Sequence, residues 1–120
     1  MILIIGGAYQ GKLDFARETF SLTPEDIFSC GQGEIDFSRR CIYHIEEFTR
    51  HHDDPIAFFR ENRGAWQDSI LICQDIFCGV VPMGAENRAW RQNTGRLCQY
   101  LAGEASRVSR IFCGLEQRLK

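Results

Sequence analysis

Ile2-Leu3-Ile4-Ile5-Gly6-Gly7-Ala8-Tyr9-Gln10-Gly11-Lys12, followed by Leu13, is the stretch that decides the fold class of this chain. Residues 2–5 are apolar on both faces and mostly β-branched, the pattern of a central parallel strand covered by helices on each side. Gly6-Gly7 stops that strand. Beyond Lys12, Leu13, Ala16 and Phe20 recur at helical spacing with Phe15 beside them, which predicts a short amphipathic helix beginning near Lys12. Strand, glycine loop and helix start follow in order, and the loop satisfies G-x-x-x-x-G-K, the phosphate-loop pattern. The chemistry follows from the backbone: glycines let N–H groups turn toward phosphate oxygens, and the helix start adds positive partial charge. Gly6, Gly7, Ala8, Tyr9, Gln10, Gly11, Lys12 and Leu13 are therefore the candidate nucleotide-binding residues, with the Lys12 ammonium meeting the β- and γ-phosphates. The competing reading is a tight turn with Lys12 as a solvated first-turn residue.

Working outward, the expected elements alternate. Ser21 to Asp26 contains Pro24 and reads as a connector, and Ile27-Phe28-Ser29-Cys30 reads as a second strand stopped by Gly31 and Gly33. Cys41-Ile42-Tyr43-His44 is a third. Residues 45–62 read as helix broken or restarted at Pro55, after the turn His51-His52-Asp53-Asp54. Ser69-Ile70-Leu71-Ile72-Cys73 is a buried strand running into Gln74-Asp75, and Gly79-Val80-Val81-Pro82 is the loop beyond it. Trp90, Thr94, Leu97, Leu101, Ala105 and Val108 advance by three or four residues, which predicts one long helix over residues 85–106. Ile111-Phe112-Cys113 reads as the last strand. The alternation implies a single-domain P-loop-type α/β fold over residues 1–120, a doubly wound parallel sheet flanked by helices.

Composition narrows the partners. The chain has 120 residues, 44% of them hydrophobic, enough for one continuous core. A formal net charge of -2 gives no reason to expect nucleic acid as a partner. Its apolar runs are far shorter than the roughly 20 residues that cross a bilayer, and residues 1–5 lack a signal peptide's basic flank, so a cytoplasmic protein without a membrane partner is expected. Cys30, Cys41, Cys73, Cys78, Cys98 and Cys113 form no C-x-x-C pair and sit mostly within apolar runs, so reduced thiols, at least four of them buried, are expected.

Other polar clusters rank lower. Four consecutive residues in a turn, such as His51 to Asp54, rarely aim at one point, so no metal site is assigned there. His44 reads as a hydrogen-bonded strand-end histidine rather than a catalyst. Asp75, at the carboxyl end of a buried strand, stands where ligands collect in such sheets and is a candidate catalytic acid near a metal. It is equally a loop aspartate or helix cap. Arg88, Arg91 and Arg96 suit phosphate or a subunit contact, which keeps a homo-oligomer among the expected assemblies.

Further likenesses lie toward the C-terminus. Gly79-Val80-Val81-Pro82, Glu86-Asn87-Arg88, Gly95-Arg96-Leu97-Cys98-Gln99, Leu101-Ala102 and Ile111-Phe112-Cys113-Gly114 are similar, in order, to G-I-V-P, E-N-R, G-R-x-N-Q, L-A and V-V-S-G. With the glycine loop, similar to G-G-A-R-S-G-K-S, this order resembles the adenosylcobinamide kinase/adenosylcobinamide-phosphate guanylyltransferase family, bifunctional P-loop enzymes of cobalamin biosynthesis. The resemblance implies ATP or GTP as cofactor, a corrinoid as acceptor and, if the chain is active, phosphoryl transfer carried by Lys12 and Asp75. The family's T-N-E is Cys73-Gln74-Asp75 here, which keeps only the acid. Its loop serine, the Mg²⁺ ligand, is Leu13, which cannot coordinate a cation, so the part played by Mg²⁺ stays open. Its loop arginine and serine are Tyr9 and Gln10. Family members are also longer, and the histidine of their H-x-x-x-R-P segment has no counterpart in the shortened middle of this chain, so guanylyl transfer is not expected. Three classes stand: a shortened kinase, a non-catalytic relative keeping phosphate affinity, and a structural subunit.

Overall fold

A computed structural model of the chain describes residues 1–31, 33–76 and 84–120. It is an α/β structure built on one sheet of six strands in the order β2-β3-β4-β1-β5-β6. The strands are β1 (Ile2–Gly6), β2 (Ile27–Ser29), β3 (Cys41–Tyr43), β4 (Ile70–Gln74), β5 (Arg107–Phe112) and β6 (Leu115–Arg118). All neighbours pair in parallel except β5 and β6, which are antiparallel. The helices are α1 (Lys12–Phe20), α2 (Ile45–Arg50), α3 (Pro55–Glu61), α4 (Arg63–Trp66) and α5 (Ala85–Glu104).

β1 lies between β4 and β5, so its residues face protein on both sides. Leu3 joins one apolar cluster with Ile42, Phe48, Phe59, Trp66, Leu71, Leu97 and Leu101. Ile4 joins the other, with Ala16, Cys41, Ile70, Ile72 and Ile111. The alternation of side chains along each strand thus feeds two cores, which is why these strands read as continuous apolar runs. α2, α3, α4 and α5 cover the first face and α1 the second. Chain direction explains the crevice above the sheet: the chain leaves β1 toward β2 by way of α1 on one face, and leaves β4 toward β5 by way of α5 on the other. The neighbouring strands β1 and β4 are thus followed by helices on opposite faces, and it is at the carboxyl edge of such a pair that these sheets bind ligands.

As expected, the helical stretch is interrupted after Arg50 and restarts at Pro55, which opens α3, and the Asp54 carboxylate accepts from the Ala57 amide, 3.1 Å, as an N-cap. His52 stacks on Phe48 with ring centroids 4.0 Å apart and hydrogen-bonds the Gly33 carbonyl through Nε2 at 2.8 Å. The His51 to Asp54 turn is thus occupied with capping and packing. Among the described residues no group of three or more His, Cys, Asp or Glu gathers to hold a metal, and no helix is long and apolar enough to cross a membrane.

The C-terminal region departs from the sequence expectation. α5 ends at Glu104, and Val108, which continued the helical stripe, lies in β5 instead. The chain turns extended at Ala105, whose backbone still caps Leu101, and Ser106 ties the turn to the Met1 carbonyl. β5 begins at Arg107 rather than Ile111, and it is not the last strand. Cys113 (φ 51°) and Gly114 (φ 76°) form a tight reversal into β6, with both central residues left-handed as hairpins of this twist require. Glu116 binds Arg107 at 2.5 Å and Ser109 at 2.6 Å across the pair. The Ser109 hydroxyl, then the Arg107 guanidinium, hold its carboxyl below the usual glutamate value. Leu-Glu-Gln-Arg has no alternating apolar pattern because every residue of β6 is exposed. Of the described cysteines, Cys30, Cys41 and Cys73 are buried, Cys98 is half-buried and Cys113 exposed, and all five are free. Burial raises the Cys30 and Cys41 thiols to about 12. Cys78 and the expected loop over residues 79–82 lie outside the described residues.

Candidate functional site

At the carboxyl edge, β1 and β4 stay in register to the end: Ile5 pairs with Cys73 and Gly6 with Gln74, and the Asp75 amide donates to the Gly6 carbonyl at 2.7 Å. The glycine loop and the Gln74-Asp75 segment thus start side by side. Gly6 is required by contact. A Cβ there would stand 2.6 Å from the Ile111 carbonyl oxygen of the neighbouring strand. Gly11 is required by conformation, since it caps α1 with φ 90°. It offers no side-chain acceptor, so the first-turn amides are left without a side-chain cap.

Gln10 fixes the loop from behind. Its side-chain carbonyl accepts from the Cys113 amide at 2.6 Å and its backbone carbonyl from the Gly114 amide at 2.9 Å, so the β5–β6 turn braces the loop. Tyr9 stands fully exposed at the tip with φ 60°.

Lys12 is buried, at 6% exposure, and its ammonium donates to the Gly7 carbonyl at 2.6 Å. Burial pushes its pKa below the usual lysine value, against the attraction of Glu46, Cys73 and Asp75, which favours the charged form. The solvated first-turn reading of Lys12 is therefore excluded by its burial. Beside it opens a cavity of about 530 Å³ lined by Ala8, Tyr9, Gly11, Lys12, Leu13 and Asp14 on one side and by Tyr43, His44 and Gln74 on the other. Gly6, Gly7 and Gln10 stand outside this lining, as packing and bracing residues of the loop. Leu13 puts an apolar side chain at the wall where a phosphate loop ordinarily presents a hydroxyl. Asp75 falls next to the loop, outside the lining, and its field reaches Lys12.

Three residues absent from the sequence-based candidates complete the site. Glu46 is buried at 4% exposure, and its Oε1 accepts from the Gln74 amide at 2.9 Å. Its backbone carbonyl accepts from the Trp90 indole at 2.7 Å, joining α2 to α5. Tyr43 and Gln74 line the cavity directly. The only sequence signal for Glu46 is a carboxylate between Ile45 and Phe48, which the helical period places among core residues. His44, expected as a strand-end histidine, is one, since Nδ1 shares a 2.7 Å hydrogen bond with the Ser29 hydroxyl, but it also lines the cavity. Arg88 and Arg96 are exposed on α5, Arg91 is half-buried, and none of them lines it.

The model of the family described as cobinamide kinase / cobinamide phosphate guanyltransferase matches residues 42–119, well over half of the chain. The chain belongs to this family. The kinship supports a cobinamide-kinase-like function of cobalamin biosynthesis in general, with nucleotide and corrinoid substrates. The match opens at Ile42, at β3, and takes in Glu46, β4, α5 and the β5–β6 hairpin. The glycine loop lies ahead of it, so the loop's chemistry rests on its own geometry. No curated protein matches the chain.

Proposed function

We propose that this chain is a shortened, divergent adenosylcobinamide-kinase-like protein, cytoplasmic and without guanylyl transfer, that holds the phosphates of ATP or GTP in the loop from Gly6 to Leu13. Lys12 supplies the fixed cation and the first-turn amides of α1 supply donors. Asp75 orients a metal or the attacking hydroxyl from the end of β4. One observation supports this most: Lys12 is buried at the start of α1 on the wall of the 530 Å³ cavity, at the carboxyl edge of the sheet. An ammonium is rarely held there for packing, because burial costs it solvation that a single carbonyl only partly replaces.

Leu13 on the same wall favours a second reading, a non-catalytic relative that binds nucleotide phosphate without transferring it. Calorimetric titration with ATP and GTP, with and without Mg²⁺, tests the shared core of both. Binding that is nearly indifferent to Mg²⁺ and is lost in Lys12→Ala is the expected result. Saturation at about a hundred times Kd should stabilise the fold by about 2.7 kcal/mol. Binding of wild type and Lys12→Ala with equal affinity would sink the loop's role. A parallel assay for phosphate transfer from ATP to cobinamide separates kinase from binding module. Leu13→Ser should raise the dependence on Mg²⁺ by restoring a hydroxyl ligand.

A further inference from the structure

We propose that His44 is a second phosphate ligand of this pocket, supplying through its protonated imidazole the positive charge that a loop hydroxyl ordinarily recruits as a bound cation. The proposal rests on the phosphate-binding reading of the loop and extends it to a residue from another element. His44 lines the same cavity as Lys12, approaching from the end of β3. Its backbone is left-handed, φ 64°, a conformation that costs a non-glycine residue energy and persists where neighbours fix it. Two neighbours do so. The Ser29 hydroxyl holds Nδ1 at 2.7 Å, and the Tyr43 ring lies on the imidazole with centroids 3.6 Å apart. Among the described residues Nε2 makes no hydrogen bond, so one ring nitrogen is oriented by the protein and the other remains to serve a ligand.

The charges around the ring set the expected behaviour. α1 contributes Lys12 and Asp14 and β3 the phenol of Tyr43, while Asp75, after β4 and outside the lining, acts on Lys12. From α2 come Glu46, bonded to the Gln74 amide, and Glu47, paired with Arg50 at 3.6 Å. Asp14 is the carboxylate that shares the cavity wall, so an entering polyphosphate meets it as well as Lys12. A cationic imidazole offsets that carboxylate, while a neutral one leaves Lys12 to do so alone.

The experiment is calorimetric titration of the full chain with inorganic pyrophosphate and with Mg²⁺-free ATP, at about pH 5.5 and about pH 8, on either side of the ordinary imidazole range. His44→Asn is the first variant, because Asn tolerates the left-handed backbone. Wild type should bind about tenfold more tightly than His44→Asn at the lower pH, the scale of one charge-assisted hydrogen bond, and the gap should close at the higher pH. The probe's own protonation affects both proteins alike, so their ratio reports the imidazole. His44→Lys should keep tight binding at both values. An equal pH response in wild type and His44→Asn overturns the proposal. If Lys12→Ala still loses binding in that case, the loop reading survives; if wild type binds neither probe, both fall.

Discussion

The two walls of the cavity differ in where their chemistry comes from. The loop wall, Ala8 to Asp14, presents backbone amides, a buried ammonium and an apolar Leu13, and lies entirely outside the family match. The opposite wall, Tyr43, His44 and Gln74, lies inside it and is backed by the buried carboxylate of Glu46. The contrast teaches that kinship in this chain is carried by the scaffold of β3, β4, α5 and the hairpin, whereas the phosphate chemistry proposed for it is concentrated in a loop ahead of that scaffold. Electrostatics couple the two walls: the fields of Glu46 and Asp75 act on Lys12, and that of Asp14 acts on Tyr43.

The largest effect should come from breaking the loop wall at its root. Gly6→Ala puts a Cβ against the Ile111 carbonyl oxygen of β5, and neither strand can yield without losing ladder bonds. Denaturant unfolding should show a loss of about 3 kcal/mol, the upper end of overpacking costs. An unchanged midpoint would mean that the β1–β5 contact is looser than described.

Cutting the link between the walls comes next. Glu46→Ala leaves the Gln74 amide without its acceptor, a cost of about 2 kcal/mol, while Glu46→Gln keeps an acceptor and should cost much less. Both variants remove a carboxylate that favours charged Lys12, so both should lower the Lys12 pKa further. Measuring stability and that pKa in the pair separates hydrogen bonding from charge; a Gln variant as unstable as Ala would show that the charge itself matters to folding.

The smallest effect carries the opposite sign. Lys12→Met removes a buried ammonium and should stabilise the fold by about 1 kcal/mol while abolishing phosphate affinity, the usual conflict between stability and site chemistry. The sign of the pH dependence follows from the lowered folded-state pKa. Below it, Lys12 is charged in both states and the folded protein bears the cost of burying that charge. As pH rises from the folded value toward the unfolded one, the unfolded chain holds the extra proton and wild-type stability climbs. The advantage of Lys12→Met should therefore shrink with alkalinity in thermal melts. A constant advantage would assign it to packing instead.

Much of this was present in the chain itself. The apolar run of β1, the glycines after it and the lysine that opens α1 determined strand, turn and helix, because each depends on residues adjacent in sequence. The C-terminal motifs likewise determined the family. Tertiary structure decided the rest. Whether Val108 extends α5 or enters β5 depends on Met1 receiving the chain at Ser106, a contact between the two ends of the molecule. β6 exists because Glu116 finds Arg107 and Ser109 across the pair, which no pattern in Leu115–Arg118 announces. Lys12 reads either as a phosphate ligand or as a solvated first-turn lysine until the fold buries it, and Glu46 as a helix-face carboxylate until β4 brings it the amide of Gln74. Local sequence sets backbone conformation in β1, the glycine loop and α1. Burial and charge pairing are properties of distant segments meeting, and here they decide which polar groups form the site.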